Sequence, residues 1–398
     1  MRFHFPLLAL LGLAACGGTA ADPAPPPSDA GPDTADVVVT GPPTATVTPT
    51  GSLAEARANH TATLLKDGRV LVVGGEQIST RTPTASIEAW DPKTGKFSTL
   101  TPLPKPVVGH TATLLKDGRV LIAGGGKFSA NGSPSGEDVT DAAFVFDPTT
   151  NEAKPVSPMK HARGQHFAVL LGDGKVLVGG GADAVPSSFP PALDAVELFD
   201  PTTGQFTDDT KLVEPREMAQ AVALDGQRVM VISGMNTKKG ALASSEIYDE
   251  KTHAFTAGPT LVDGGRIYHS TLHASDGKVL VLGGVQSTQS GPTFLDSVEV
   301  WGGSEFALGA LLPKGRNSAP MIEVGGHAVA VGGFSWDGVI STFFDDVLWL
   351  GSDGWKVVGN LKYGTFGHTV TPLSDGRLLV VGGSNAKTQA RAELVTLQ

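Results

Sequence analysis

The residues in this 398-residue sequence best suited to chemistry are arginines and histidines that return at a fixed offset from one another. Arg57, Arg163, Arg216 and Arg266 stand three positions before His60, His166, Ala219 and His269, and Arg316 is slightly displaced from the same spacing before Ser318. A guanidinium is planar, forked and always charged, so several at one mouth would suit carboxylates. The competing role is structural, each fork bonding backbone carbonyls or Asp side chains to tie neighbouring repeats together. His60, His110, His166, His269 and His368 are of the type that serves as base or metal ligand. A feature that recurs in five of seven repeats serves the repeat, however, whereas a metal or catalytic centre needs different residues converging on one point. No metal and no cofactor are expected.

What positions these residues is the repeat itself. His110-Thr-Ala-Thr-Leu-Leu-Lys-Asp-Gly-Arg-Val-Leu-Ile-Ala-Gly-Gly125 is matched almost residue for residue from His60 to Gly75. It reads as two short apolar strands joined by a tight Asp-Gly turn, with a glycine pair where the backbone turns or packs closely. The Asp-Gly pairs are turn chemistry, because the oxygen-ligand spacing of a calcium loop is missing. Aligned on the first glycine, the repeats fall at positions 74, 124, 180, 233 (a serine), 283, 332 and 382, a period near fifty that means a propeller or a solenoid. Counting back a constant fourteen positions gives His60, His110, His166, Ala219, His269, Ser318 and His368, so the first hairpin is expected to keep one length throughout.

Each repeat continues with a third strand ending in an aromatic residue, usually after Glu, as in Glu88-Ala-Trp90, Glu197-Leu-Phe199, Glu246-Ile-Tyr248 and Glu299-Val-Trp301. An Asp-Pro turn in several repeats leads to a fourth strand marked by Phe97, Phe206, Phe255, Phe306 or Trp355. Four antiparallel strands make one propeller blade. The seventh repeat stops after its third strand, and Thr46-Val-Thr-Pro-Thr50 stands where a fourth strand would precede the first repeat. The fold class is therefore all-β, a seven-bladed propeller whose last blade is closed by an N-terminal strand, which leaves no open sheet edge between first and last blades.

The order of His, hairpin, Gly-Gly, third strand, aromatic fourth strand and following Pro-x-x-Arg is similar to kelch repeats of the kind in the central domain of galactose oxidase, and the resemblance covers residues 44–398. It implies a first strand lining a central channel, and arginines at an anion-binding channel mouth that takes acidic peptides or acidic sugars. It also implies that the loops after the glycine pairs share a face with that mouth. These loops vary most in length, and length variation on one face of a rigid scaffold is where recognition resides. They carry Phe128, Phe189, Phe294, Phe334, Trp336, Phe343 and Phe344, of which Trp336 could stack on a sugar or anchor a peptide, or instead fold back over its loop.

The first 43 residues differ in kind. Arg2 and the apolar run Phe5–Ala15 have the layout of an export signal, too short to span a bilayer. Leu13-Ala-Ala-Cys16 resembles the lipobox of bacterial lipoproteins, implying a signal peptide over 1–15 and lipid on Cys16, the single cysteine. Residues 16–43, rich in Pro and Ala and without Lys, Arg or aromatics, read as a disordered tether. A formal net charge of −10 disfavours nucleic acid and anionic membrane surfaces as partners, leaving the anchor as the only membrane contact. The likeness to galactose oxidase stops short of its copper chemistry, since no cysteine is left to link to a tyrosine. The expectation is an exported, lipid-anchored, monomeric cell-envelope protein of the outer membrane. Its loop face and channel mouth (Arg57, Arg163, Arg216, Arg266, Phe189, Trp336) bind a protein or a glycan without catalysis. The alternative is a sugar-processing enzyme resembling sialic acid mutarotases, with Arg266, Tyr268 or His269 near the reacting carbon.

Overall fold

A computed structural model describes residues 41–127, 139–183, 191–288 and 291–398; the expected signal peptide, Cys16, nearly all of the tether, Phe128 and Phe189 lie outside them. Among the described residues there is no helix, and the strands form seven four-stranded antiparallel sheets with five two-stranded ribbons beside them. The first blade, Thr61–Leu64, Val70–Val73, Ile87–Asp91 and Lys96–Thr99, sets the pattern the others follow. In the seventh, Phe366–Pro372, Leu378–Ser384 and Ala392–Leu397 are completed by Ala45–Pro49, in a register that runs from Ala45 opposite Leu397 to Pro49 opposite Glu393.

The second strand of each blade is an unbroken apolar run because both of its faces are covered. In Val70-Leu-Val-Val73 side chains alternate: Val70 and Val72 pack with blade 7, Leu71 and Val73 with blade 2. The same alternation yields one apolar core between each pair of neighbouring blades. The third-strand aromatics fill these cores, Trp90, Phe146, Phe199 and Tyr248 being wholly buried. Phe199 and Tyr248 meet the fourth-strand rings of Phe206 and Phe255 at 4.9 and 5.1 Å.

The glycine pair joins blade to blade. In all seven blades the second residue of the pair donates its N–H to a carbonyl of the next blade: Gly75 to Val107, Gly125 to Arg163, Gly181 to Arg216, Gly234 to Arg266, Gly284 to Arg316, Gly333 to Thr365 and Gly383 to Arg57. At Gly124 a side chain has no room, since φ is positive and a Cβ would lie 2.5 Å from Arg163 O and 2.7 Å from His166 Cε1, whereas blade 4 places Ser233 at this position, also with positive φ, and uses its Oγ to reach Leu242 O and Arg266 O.

Those bonds also correct one expectation. Gly284 bonds Arg316 as Gly383 bonds Arg57, and a Cβ on Gly333 would meet Asn317 O and Ala319 as one on Gly75 would meet Ala58 O and His60. Arg316 is therefore not displaced, Ala319 rather than Ser318 replaces the histidine, and the hairpin of blade 6 is one residue shorter. In blade 1, Leu65 and Arg69 pair around Lys66-Asp67-Gly68, with only Gly68 left-handed. In blade 6, Val324 pairs with His327 across Gly325-Gly326, both left-handed, which is the tighter two-residue turn.

Candidate functional site

The recurring arginines point inward. Arg57, Arg163, Arg216, Arg266 and Arg316 are all 1 % exposed or less. Arg57 donates to Gly74 O (3.1 Å) and Ser86 O (3.0 Å), and its other fork atom reaches Ser86 Oγ (2.8 Å) and Glu88 Oε1 (2.6 Å). Glu88 in turn accepts Ala54 N–H at 2.8 Å. Glu197, Glu246 and Glu299 answer Arg163, Arg216 and Arg266 in the same way. In blade 6 the acid has moved two places along its strand, to Asp346, which takes Arg316 on both oxygens (2.5 and 3.0 Å). Each pair thus bridges the carbonyl at the end of the second strand, the start of the third and the segment arriving from the previous blade. Burial lowers the pKa of Arg57, Arg163 and Arg266, opposed by the adjacent carboxylate, and leaves a charged fork whose best donors are spent inside the blade. Blade 2 has Val107 and Phe144 at the two positions, side by side in one apolar cluster.

The histidines are likewise internal. His60 shares a hydrogen bond with Thr369 Oγ1 (2.9 Å), His110 with Thr61 Oγ1 and His166 with Thr111 Oγ1 (both 3.0 Å), each reaching the first strand of the preceding blade. Burial holds them neutral, with the pKa of His110 lowered to about 4 and those of His269 and His368 to about 3. Of the set Arg266, Tyr268 and His269, the first is paired with Glu299, the last is 3 % exposed, and Tyr268 joins a different cluster, at the channel.

That cluster marks the channel mouth. The seven residues Asn59, Gly109, Gln165, Met218, Tyr268, Ser318 and Gly367 all have positive φ and lie side by side in a circlet. Asn59 N–H bonds Gly367 O, Gln165 bonds Gly109, Met218 bonds Gln165 and Ser318 bonds Tyr268. The residues just before them form bridges to those just after the glycine pairs, as in Ala58 with Glu76, Val108 with Gly126, Glu217 with Met235, Ile267 with Val285 and Asn317 with Phe334. Side chains from these three rows converge, because Val108, Met218, Tyr268, Val285, Phe334 and Phe366, from five different blades, form one buried cluster. Ile78, Met235, Phe294, Trp336 and Phe343 pack on it from the loops.

Sequence reasoning missed the polar part of this throat. Glu217 is 7 % exposed, Oε2 has no hydrogen-bond partner, and burial lifts its pKa to about 7. Glu76 is held by Asn59 Nδ2 (2.9 Å) and Arg81 (3.1 Å), yet burial still raises its pKa. Both amide atoms of Gln165 and of Asn317 are buried without a partner, as is Ser318 Oγ. Their one sequence signal is negative: these positions, unlike the hairpin around them, do not repeat. No group of three or more His, Cys, Asp or Glu suited to a metal occurs among the described residues.

Above the throat, blade 6 extends a ribbon of Phe334–Trp336 paired with Ser341–Phe343. Asp337 Oδ1 accepts the N–H groups of Val339 (3.0 Å) and Ile340 (2.7 Å), fixing the tip. That tip exposes Val339 at 87 % and Ile340 at 62 %, with Trp336 half-buried at its base. Phe334, Phe343 and Phe366 stack beneath at 5.3 to 5.8 Å. Phe344 covers the Arg316 guanidinium at 3.8 Å.

No family model matches the chain. It is 27% identical over 197 residues to alpha-scruin of Limulus polyphemus, covering 49% of this chain and 21% of scruin. It is 26% identical over 218 residues to an F-box/kelch-repeat protein of Arabidopsis thaliana, covering 53% and 57%. The chain thus spans about a fifth of one curated relative and just over half of the other. Among solved structures, "Structure of YjhT" superposes with a TM-score of 0.58 at 16% identity, over 77% of this chain and 99% of that one. A fungal alcohol oxidase in complex with copper reaches 0.64 at 15%, over 88% and 76%. At such identities the structural likeness speaks for the fold alone. Repeat pattern, closed ring and relatives agree on a kelch-repeat propeller, a fold commonly used as a protein-binding module.

Proposed function

We propose that this propeller is a non-enzymatic protein-binding module, exported and held at the outer membrane by lipid on Cys16, that contacts its partner through the blade 6 ribbon. The observation that carries the reading is the tip of that ribbon. Val339 and Ile340 are both exposed, Val339 almost fully, on a turn fixed by Asp337 beside Trp336, whereas single exposed apolar residues are ordinary. A rigid apolar tip above an aromatic base costs little ordering entropy on binding and has the composition of an interface anchor. Among the described residues the other exposed large apolar residues are Val213, Val262, Leu308, Leu311, Val357 and Tyr363, spread over blades 4 to 6 and the connections beside them.

Burial and pairing of Arg57, Arg163, Arg216 and Arg266 within their blades favour an apolar contact over an anion-specific one. The same pairing weighs against a sugar-processing enzyme built on Arg266 and His269. Cross-linking in the native envelope with wild type and with Val339→Asp/Ile340→Asp tests the reading. A partner captured by the wild type and lost at least tenfold in the variant, with unchanged melting temperature, supports it. Equal capture by both would sink it. For the anchor, Cys16→Ser should release the protein from the membrane fraction and abolish incorporation of labelled fatty acid; a variant that stays membrane-bound would remove that part of the proposal.

A further inference from the structure

The throat under the ribbon gathers buried polar groups without partners. The buried forks of Arg57, Arg163, Arg216, Arg266 and Arg316 each find an acid, whereas the throat leaves whole side-chain groups unbonded. Gln165 and Asn317 each bury a complete carboxamide with neither atom bonded, and Ser318 Oγ, Glu217 Oε2, Asn59 Oδ1 and Glu76 Oε2 are also without partners. All six residues are at least nine-tenths buried. They come from blades 1, 3, 4 and 6 and occupy the circlet or the rows beside it. Buried polar groups are almost always satisfied, and carrying this many on one ring is costly unless something else bonds them.

We propose that the throat binds a neutral polyhydroxylated small molecule, of the polyol or monosaccharide type. The groups present select that chemistry. Two carboxamides offer donors and acceptors in equal number, a hydroxyl offers both, and carboxylic oxygens accept, which matches hydroxyls that each donate and accept. An anion is disfavoured, because Arg81 is committed to Glu76, the clamp arginines are committed to their own blades, and two acids face the ring. The apolar arc of Val108, Met218, Tyr268 and Phe366 suits the C–H face of a ring. Loop-face residues Ile78, Phe294 and Trp336 pack over the cluster, so a ligand there would be shielded from water.

The full-length protein is titrated calorimetrically with glucose, galactose, N-acetylglucosamine and myo-inositol, with sodium glucuronate and choline as the anionic and cationic probes. Millimolar or tighter binding of at least one neutral probe is expected, and Asn317→Leu or Ser318→Ala should weaken it about tenfold or more through loss of one or two buried hydrogen bonds. Val339→Asp/Ile340→Asp should bind the probe unchanged, which separates this site from the ribbon. No binding of any neutral probe to the wild type, or tighter binding of glucuronate or choline, overturns the proposal. So does neutral-probe binding that survives both throat substitutions.

Discussion

Acidification from about pH 7.5 to about pH 5 should destabilise this protein, and the reason lies in five imidazoles. His60, His110, His166, His269 and His368 are 4 % exposed or less. Burial holds His110 near a pKa of about 4, His269 and His368 near about 3, and His60 and His166 well below the ordinary range. Each returns to roughly 6.5 in the unfolded chain. A base whose folded pKa is depressed contributes full stability above its unfolded pKa and loses it as pH falls toward the folded value, so the window runs from about 6.5 downward. At about pH 5 His110, His269 and His368 each favour the unfolded chain by about 2 kcal/mol, or about 6 kcal/mol for the three, and His60 and His166 act in the same direction. Glu217 acts in the opposite sense: its raised carboxyl pKa of about 7 costs stability at neutral pH and returns about 2 kcal/mol over the same span. The three histidines less Glu217 leave a net loss of about 4 kcal/mol, to which His60 and His166 add, against a typical domain stability of about 5–15 kcal/mol. Urea unfolding by tryptophan fluorescence at steps through this range measures the loss, and NMR titration of the imidazole Cε1–H signals identifies its source. Signals assigned to these five imidazoles that titrate near pH 6.5 in the folded protein, or a urea midpoint unmoved down to pH 5, would refute the reasoning.

Arg163→Met should cost about 3–5 kcal/mol by leaving Glu197 buried and unpaired, whereas Arg163→Val with Glu197→Phe, copying Val107 and Phe144, should recover most of it in urea titrations. Gly124→Ala, which drives a Cβ to 2.5 Å from a carbonyl at φ 62, should lose about 3 kcal/mol or more, while Gly226→Ala, with nothing within 4 Å, should stay within about 0.5 kcal/mol by thermal melting. Thr46→Pro with Thr48→Pro removes two donors from the closing strand and should cost about 2 kcal/mol. Hydrogen exchange should then show Ala392–Leu397 losing protection while Thr61–Leu64 keeps it; uniform protection would mean the ring does not depend on this strand.

The fold was legible because kelch blades are local. Two strands and a turn lie within sixteen consecutive residues, and a glycine pair, or Ser233-Gly234 in blade 4, marks each crossing of the backbone to the next blade, so a repeat count yields the ring and its closure. The blade 6 slip was invisible because Gly325-Gly326 and Asp-Gly turns differ by one residue while the downstream spacing absorbs it. The arginines left two roles open for a physical reason: a side chain's direction is not written in its spacing. The deciding signal was present, since the third-strand glutamates accompany the arginines in blades 1, 3, 4 and 5, and blade 2 lacks both. Asn59, Gln165, Glu217 and Asn317 were unreadable, because they belong to a ring assembled from distant blades and share no motif.

The closing strand also gives the molecule a heading. Each third strand leaves the loop face and runs away from it, so Leu397 lies at the remote end of its sheet, and Ala45 lies beside it. Thr44 and Gln398 exchange both backbone hydrogen bonds there. Whatever is joined ahead of Thr44 therefore attaches at the rear of the ring. A surface holding the protein by that segment would see its back, and the ribbon of blade 6 would be turned outward, toward whatever approaches.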